Sequence, residues 1–200
     1  MTRAQYTGVI ALVAVAAAAT GALRHPADAA TVAAGRGAAG LHPEGPPAAY
    51  TGGFGEPTCT ECHFDADVNA GPGTLVLDGV SATVTAGSTH TLTVRLAHAG
   101  QLRAGFMLSA RTAAGAQAGT LMPADACVTI THAGDVAYAH HTLPGTELTG
   151  DAKTWTVRWT ADAVDPGTDV VFHIVGNATN DDASPFGDFV YATSTTVRVE

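Results

Sequence analysis

Short runs of alternating apolar and polar residues fill the chain from residue 73 to its end and constrain its fold more than any other feature. Residues 89–96 (THTLTVRL) and 154–160 (TWTVRWT) place an apolar side chain at every second position. Since side chains alternate between the two faces of a strand, each run is typical of a strand with one buried face. Further β-rich runs cover 75–77, 82–84, 105–110, 127–131, 170–175 and 190–199. Short strands separated by turns, without a helical pattern, predict an all-β fold of the β-sandwich type.

The first 29 residues have the pattern of a secretory signal peptide. Arg3 supplies a positive charge, residues 9–19 form an uncharged apolar run, and residues 27–29 (ADA) are typical of a cleavage site. The apolar run is short for a membrane span, which needs about 20 apolar residues; an uncleaved anchor helix is the alternative. We therefore predict export to the periplasm, the cell surface or the medium, with no stable membrane span after cleavage.

The residues that follow the signal peptide are predicted to form a flexible linker. Residues 30–49 are rich in alanine, glycine and proline and show no sustained period. The whole chain has a formal net charge of -9, and Lys153 is its single lysine. A chain this acidic lacks the basic surface that nucleic acids and anionic membranes require, so neither is an expected partner.

The pentapeptide Cys59-Thr60-Glu61-Cys62-His63 carries the most specific chemical signal. C-x-x-C-H is the attachment signature of c-type haem. Two thiols at this spacing can reach the two vinyl groups of one porphyrin, and the adjacent histidine then supplies an axial nitrogen to the iron. The motif predicts one covalent haem c, held by Cys59 and Cys62, with His63 as the proximal iron ligand.

Three other interpretations of the motif stay open at this point. They are a thioredoxin-like redox pair, although no βαβ pattern surrounds it; half of a zinc site, although no second C-x-x-C follows; and a plain disulfide between Cys59 and Cys62. With the haem interpretation, the chain divides into a signal peptide (1–29), a flexible linker (30–49), a haem-binding segment (50–72) and a β-sandwich domain (73–200).

Several blocks beyond the motif, taken in order, resemble a bacterial family of secreted reelin-like β-sandwich domains, the choice-of-anchor V proteins. The blocks are TGGFGEPTCTECH (51–63), RAGFMLSAR (103–111), GAQAGTL (115–121), HHTLPGTELTGDAKTWTVRWTA (140–161), VVFHIVGNATNDD (170–182) and GDFVYATST (187–195). Met107 stands where the family usually has glutamine, and the sorting anchor that often ends family members is absent. The resemblance implies an immunoglobulin-like or reelin-like sandwich behind a haem-binding extension. It does not supply a reaction.

The second axial ligand of the iron is the open question of this site. The resemblance places a histidine at position 141, so His141 is the first candidate. Met122, expected in a loop beside Pro123, and Met107, expected in an apolar strand, are the alternatives, as are another histidine such as His132 or no protein ligand at all. Two protein ligands leave no position open for a substrate, which favours an electron carrier over an enzyme.

Two smaller features complete the candidate sites. Cys127 has no cysteine partner once haem attachment uses the other two, which predicts a buried free thiol or an intermolecular bridge. A group of oxygen-bearing side chains near residue 180 has the composition of a calcium site, but a solvated, turn-rich loop is the preferred interpretation. Its members are Asn177, Asn180, Asp181, Asp182 and Asp188.

The sequence therefore supports functions of different classes. The first is an exported monohaem protein, similar to c-type cytochromes, that transfers electrons to a redox partner protein that the sequence does not name. The alternative is an extracellular adhesion or binding β-sandwich without a redox role. A haem enzyme with an open iron, peroxidase-like, is the third.

Overall fold

The computed structural model describes His42 and residues 44–200, which form two β-sheets and two short 3₁₀ turns. The predicted signal peptide and most of the predicted linker lie outside the described residues. Within the described part, no helix has the length and hydropathy needed to cross a membrane. The 3₁₀ turns are Cys59–Glu61 and Pro144–Thr146. The strands are β1 (Thr74–Asp78), β2 (Thr83–Val84), β3 (Thr89–Ala97), β4 (Arg103–Thr112), β5 (Thr120–Pro123), β6 (Val128–Ala133), β7 (Val136–His141), β8 (Ala152–Thr160), β9 (Asp169–Thr179) and β10 (Phe189–Val199).

The strands form a sandwich of one four-stranded and one six-stranded sheet, which confirms the predicted all-β fold. The order in the first sheet is β1-β3-β8-β5, and in the second it is β2-β10-β9-β4-β7-β6. Neighbouring strands are antiparallel except β2 and β10, which pair in parallel. Parallel neighbours need a long connection, and here nearly the whole domain lies between the two strands.

The main core lies between the sheets and rests on the aromatic residues that the alternation predicted to be inward. Trp155 and Trp159 of β8 are 1% and 0% exposed. Trp155 stacks on Phe106 with ring centroids 4.6 Å apart, and Trp159 meets Phe172 edge to face at 4.9 Å. Both indole N–H groups donate to backbone carbonyls, at 2.8 and 2.9 Å. Each buried indole therefore keeps a polar partner, as a buried N–H requires.

All eight predicted β runs overlap a strand, but two strands were not predicted. Strand β7 carries an almost continuous buried run, and β5 is short and ends at Pro123. The expectation that Met122 lies in a loop was wrong, because it pairs with Arg158 of β8 at the sheet edge. An edge strand tolerates a terminal proline because one side of its backbone needs no ladder partner.

The outer face of the six-stranded sheet is covered by residues 44–73, which precede β1. A second apolar cluster forms there around Met107, Tyr138, Val175 and Val190, all at most 1% exposed. The chain before β1 contributes partly buried side chains to it, namely Ala48, Ala49, Tyr50, Cys59 and Val68. Packing thus begins before residue 50, where the sequence analysis placed the end of the linker. Residues 50–72, the segment predicted to bind haem, are a layer of the fold.

Candidate functional site

A short 3₁₀ turn sets the geometry of the cysteine motif. Thr58 caps the turn, and its Oγ1 accepts a hydrogen bond from the Thr60 amide at 3.3 Å. The amides of Cys62 and His63 both donate to the carbonyl of Cys59, at 3.1 and 2.9 Å. This tight bend brings both thiols and the histidine to the wall of one cavity.

The cavity, of about 380 Å³, lies between the segment and the outer face of the six-stranded sheet; we call it the outer cavity. Its walls come from five stretches of chain: the residues before the motif, the motif itself, the start of β4, the end of β7 with the turn that follows, and the loop between β9 and β10. The lining includes Cys59, Cys62, His63, Gly105, His141 and Asp188. Most of the exposed lining is apolar.

Both cysteines of the motif have free thiols. Burial raises the pKa of the Cys59 thiol to about 12, so this thiol is protonated at neutral pH. Thiols rather than a disulfide are the form that adds to porphyrin vinyl groups. Haem attachment would therefore use Cys59 and Cys62 as free thiols.

The ring of His63 is held by a buried carboxylate. Its Nδ1 lies 2.6 Å from Oδ2 of Asp188, whose side chain is only 2% exposed. The other carboxylate oxygen accepts the amide N–H of Asn180 at 3.1 Å. Because the carboxylate accepts, Nδ1 carries a proton, which leaves Nε2 as the nitrogen that could bind a metal. Metal-binding histidines in proteins are oriented in this way.

His141, the last residue of β7, reaches the outer cavity from the sheet. It is 8% exposed, and burial lowers its pKa to about 4, so the imidazole is neutral at neutral pH. The amide N–H of Phe106 lies 3.0 Å from His141 Nδ1, and the Phe106 carbonyl oxygen lies 3.3 Å from the same nitrogen. Either tautomer thus has a partner for Nδ1. With Nδ1–H donating to the carbonyl, Nε2 would carry the lone pair that a metal needs; the backbone of His42 also lies within hydrogen-bonding reach of the ring.

A glycine makes room for this ring. A Cβ atom built on Gly105 would lie 2.6 Å from Cε1 of His141, closer than real contacts allow. Close approach of a side chain to the backbone is a standard reason for glycine inside a strand. The absence of a side chain at Gly105 therefore lets the His141 ring lie against the backbone of β4.

The structure does not bring the other candidate ligands to this cavity. Met107 is fully buried in the apolar cluster under the segment, and its sulfur accepts from the Tyr50 amide at 3.4 Å. Met122 lies in the other sheet, 42% exposed. His132 lies exposed on β6, the edge strand. Cys127 has a free, partly buried thiol directly before β6, packed against the main core.

Sequence reasoning missed or misplaced three contributors to this region. His42 lines the cavity but lies in a stretch predicted as linker. Asp188 was grouped with the acidic loop as a calcium candidate, whereas its carboxylate binds His63. Glu56, three residues before Cys59, lies in the block at 51–63 that resembles the family, but it was given no role of its own. All three act through contacts between distant parts of the chain, which no local pattern reveals.

The donor groups fit a haem better than a bare metal ion. Across His42 and residues 44–200, no three His, Cys, Asp or Glu side chains lie close enough together to hold a metal ion. The porphyrin itself supplies the equatorial ligands of haem iron, so a haem needs only axial ligands from the protein. Two free thiols, an oriented histidine and a second neutral histidine around one apolar cavity meet that requirement.

Comparisons with known proteins bear on the fold alone. No family model matches the chain, and no curated protein matches it. Among solved structures it is similar to the reeler domain of human F-spondin (TM-score 0.42, 16% identity, 67% of this chain and 93% of that chain). It is also similar to the Reelin-N domain of F-spondin (0.44, 16%, 70% and 96%) and to a non-cellulosomal cohesin from the archaeon Archaeoglobus fulgidus (0.40, 11%, 64% and 91%). Likeness at this level says nothing about what the chain binds, and membership of the choice-of-anchor V family stays a prediction.

Proposed function

We propose that this chain is an exported monohaem c-type protein that transfers electrons. One observation carries the proposal: Cys59, Cys62 and His63, in the segment, line the same cavity as His141, at the end of β7. Cys59 and Cys62 would hold one haem c through thioethers, and His63 and His141 would be its axial ligands. When bound, the haem supplies one-electron oxidation and reduction.

The chain's own groups suit this task. The Asp188 carboxylate holds the proton on His63 Nδ1, which fixes the ring and raises its basicity as a ligand. Burial keeps His141 neutral, so no proton has to leave before it binds. The lining is mostly apolar, and low local polarity is one of the factors that set a redox potential. Two histidine ligands leave no open position, which favours electron transfer over catalysis.

The place of action and the partner follow from the chain's charge and its first residues. We place the protein in the periplasm or outside the cell, on the strength of the signal-peptide pattern at residues 1–29. With a net charge of -9, it suits a redox partner with a basic surface, because complementary charge speeds association.

A binding or adhesion module without a redox role is the second candidate. The rings of Phe64 and Phe186 favour it, because they meet edge to face at 5.2 Å at the surface and are 52% and 53% exposed. Exposed aromatic side chains that cluster are typical of surfaces that bind other molecules. In this candidate Cys59 and Cys62 would form a disulfide or remain idle.

The deciding experiment is an optical spectrum of the exported protein made in a host with c-haem maturation machinery. We expect a Soret band and a c-type pyridine haemochrome that resists extraction by acidified acetone. A chain without haem, made beside a control cytochrome that matures normally, would overturn the electron-transfer proposal and favour the binding module.

The distal ligand is tested by His141→Ala with His132→Ala as its matched control. Removal of His141 is expected to convert a six-coordinate low-spin spectrum to a high-spin one, while removal of His132 leaves the spectrum unchanged. An unchanged low-spin spectrum in His141→Ala would exclude this residue as the ligand. A high-spin spectrum in the unaltered protein, with rapid reaction with peroxide, would point to the open-iron enzyme instead.

A further inference from the structure

A buried polar cluster lies beside the outer cavity and contributes nothing to its lining. Arg111 of β4 donates through Nη2 to Oε1 of Glu56 and to the oxygen of Tyr138. The Tyr138 hydroxyl donates to the same Glu56 oxygen at 2.5 Å. The other carboxylate oxygen accepts from the Thr51 hydroxyl at 2.6 Å and its amide at 3.3 Å. We call Glu56, Arg111, Tyr138 and Thr51 the clasp.

The clasp is largely shielded from solvent. The side chains of Arg111 and Glu56 are 9% and 10% exposed, and Tyr138 is 1% exposed. The Phe54 ring covers the guanidinium, with the guanidinium carbon 5.0 Å from the ring centroid. Removing two charges from water is costly, so a pair in this setting needs close geometry and satisfied hydrogen bonds. Both oxygens of the Glu56 carboxylate accept hydrogen bonds, from Arg111 and Tyr138 on one side and from Thr51 on the other.

The charge state of Glu56 agrees with this geometry. Burial acts to raise the pKa of its carboxyl group, but the hydrogen bonds from Thr51 and Tyr138 and the positive charge of Arg111 outweigh burial. The net effect lowers the pKa below its usual value. Glu56 is therefore ionised at neutral pH and paired with Arg111.

The two ends of the clasp belong to different parts of the fold. Glu56 and Thr51 lie in the segment, with Glu56 three residues before Cys59. Arg111 and Tyr138 lie on adjacent strands of the six-stranded sheet, where Ser109 pairs with Tyr138. Apart from one 3₁₀ turn, residues 44–73 contain no regular secondary structure that could hold the thiols in place. The clasp is one of the polar contacts that tie the segment to the rest of the fold; the contact between His63 and the buried Asp188 carboxylate is another.

We propose that Glu56, Arg111 and Tyr138 are positioning residues that hold the haem-binding segment on the sheet before haem is attached. The two thiols and His63 then already line the outer cavity, which His141 also lines, when the cofactor arrives. A buried ion pair adds geometric specificity even where it adds little net stability. This inference rests on the proposed haem function, which it deepens by naming the residues that prepare the site.

The test uses the three cysteines of the complete exported chain, produced without haem and kept reduced. Alkylation of each thiol is followed separately by mass spectrometry. Cys59 and Cys62 report on the segment, whereas Cys127, outside the segment and packed against the main core, reports on the rest of the fold. The variants are Glu56→Gln, Arg111→Met and Tyr138→Phe.

We expect Cys59 and Cys62 to react roughly tenfold faster or more in Glu56→Gln and Arg111→Met, because a buried charge left without its partner favours local opening. Tyr138→Phe removes one oxygen and is expected to give a smaller increase. Cys127 should react at an unchanged rate. Arg111→Lys, which keeps the charge, should restore part of the protection. The matched control is Asp169→Asn, which breaks an exposed ion pair with Arg198 and should alter none of the three rates.

Two results would overturn the inference. One is unchanged labelling of Cys59 and Cys62 in all the clasp variants. The other is an equal increase at all three cysteines, which would show a loss of overall stability rather than of positioning. Neither result depends on haem, because the labelled protein is made without it. Failure of the haem proposal has a different sign: the unaltered chain would lack haem in a host with maturation machinery, whatever the labelling rates of its thiols.

Discussion

The outer faces of the two sheets differ sharply, although the sheets share one core. In the four-stranded sheet, β3 and β8 alternate between buried residues and residues open to solvent, such as Arg95 and Arg158. In the six-stranded sheet, β4 is buried at every position between its two ends. The difference arises because residues 44–73 lie over the second sheet only. A strand that loses its burial alternation inside a sandwich marks a face that another part of the chain covers, and here that face carries the candidate site.

The largest expected effect is a difference in folding stability between substitutions on the two outer faces. Met107→Ala removes a fully buried side chain from the covered face, and we expect a loss of about 2–5 kcal/mol in the free energy of unfolding. Val76→Ala, on the open face of the other sheet, is expected to change it by less than about 0.5 kcal/mol. Denaturant unfolding of both variants measures the difference. Equal, small losses would mean that the segment does not cover β4 in solution.

The same Met107 variant also separates the candidate axial ligands. Because Met107 lies under Tyr50 and away from the outer cavity, its loss should leave the haem spectrum low-spin. A change to a high-spin spectrum in Met107→Ala, without a similar change in His141→Ala, would reverse the assignment.

A smaller loss of folding stability is expected at Gly105, where the covered face borders the outer cavity. Gly105→Ala places a methyl group 2.6 Å from the His141 ring, so either the ring or the strand must move. We expect a loss of about 1–3 kcal/mol, as for other overpacked sites, measured by thermal or denaturant unfolding. The control is a double-mutant cycle with His141→Ala, which removes the ring. If the cost of Gly105→Ala is the same in both backgrounds, contact with His141 is not its cause.

The smallest effect concerns the pH dependence of the covered face. His173 packs edge to face with Phe54 of the segment at 5.1 Å. Burial lowers its pKa; the charge of Glu56 opposes this shift and that of Arg111 adds to it. The unfolded chain therefore takes up the proton before the folded chain does. The stability that neutral His173 contributes is complete above its unfolded pKa of about 6.5 and is lost as the pH falls below it.

His173→Gln tests this dependence. We expect the free energy of unfolding of the variant to fall less steeply than that of the unaltered chain when the pH is lowered from about 6.5 to about 5. Denaturant titrations at several pH values measure both slopes. Slopes that coincide would show that His173 is as free to take up a proton in the folded chain as in the unfolded one.

The sequence predicted the parts of the molecule that depend on local pattern. Alternation identified the strands that carry Trp155 and Trp159, because a half-buried strand records its inner face at every second residue. The motif at residues 59–63 was visible for the same reason, since its chemistry depends on neighbours along the chain. His141 was named through resemblance, and the structure places it at the cavity of the motif.

The remainder of the site could not be predicted because it depends on pairing between distant residues. His63 and Asp188 are 125 residues apart, and Glu56 is 82 residues from Tyr138. The outward residues of β4 are equally uninformative: glycine, serine and arginine at positions 105, 109 and 111 do not look like a covered surface. Strand β5 escaped notice because four residues that end in proline carry little periodicity.

The groups that hold the segment are synthesised at different times, because they lie at different places along the chain. Arg111 and Tyr138 precede Asp188, and Asp188 lies directly before β10, the final strand. The anchors of the segment on β4 and β7 are therefore made before the carboxylate that holds His63. A chain that ends before residue 188 would lack that carboxylate altogether, so only chains made nearly as far as β10 can hold the His63 ring in this way.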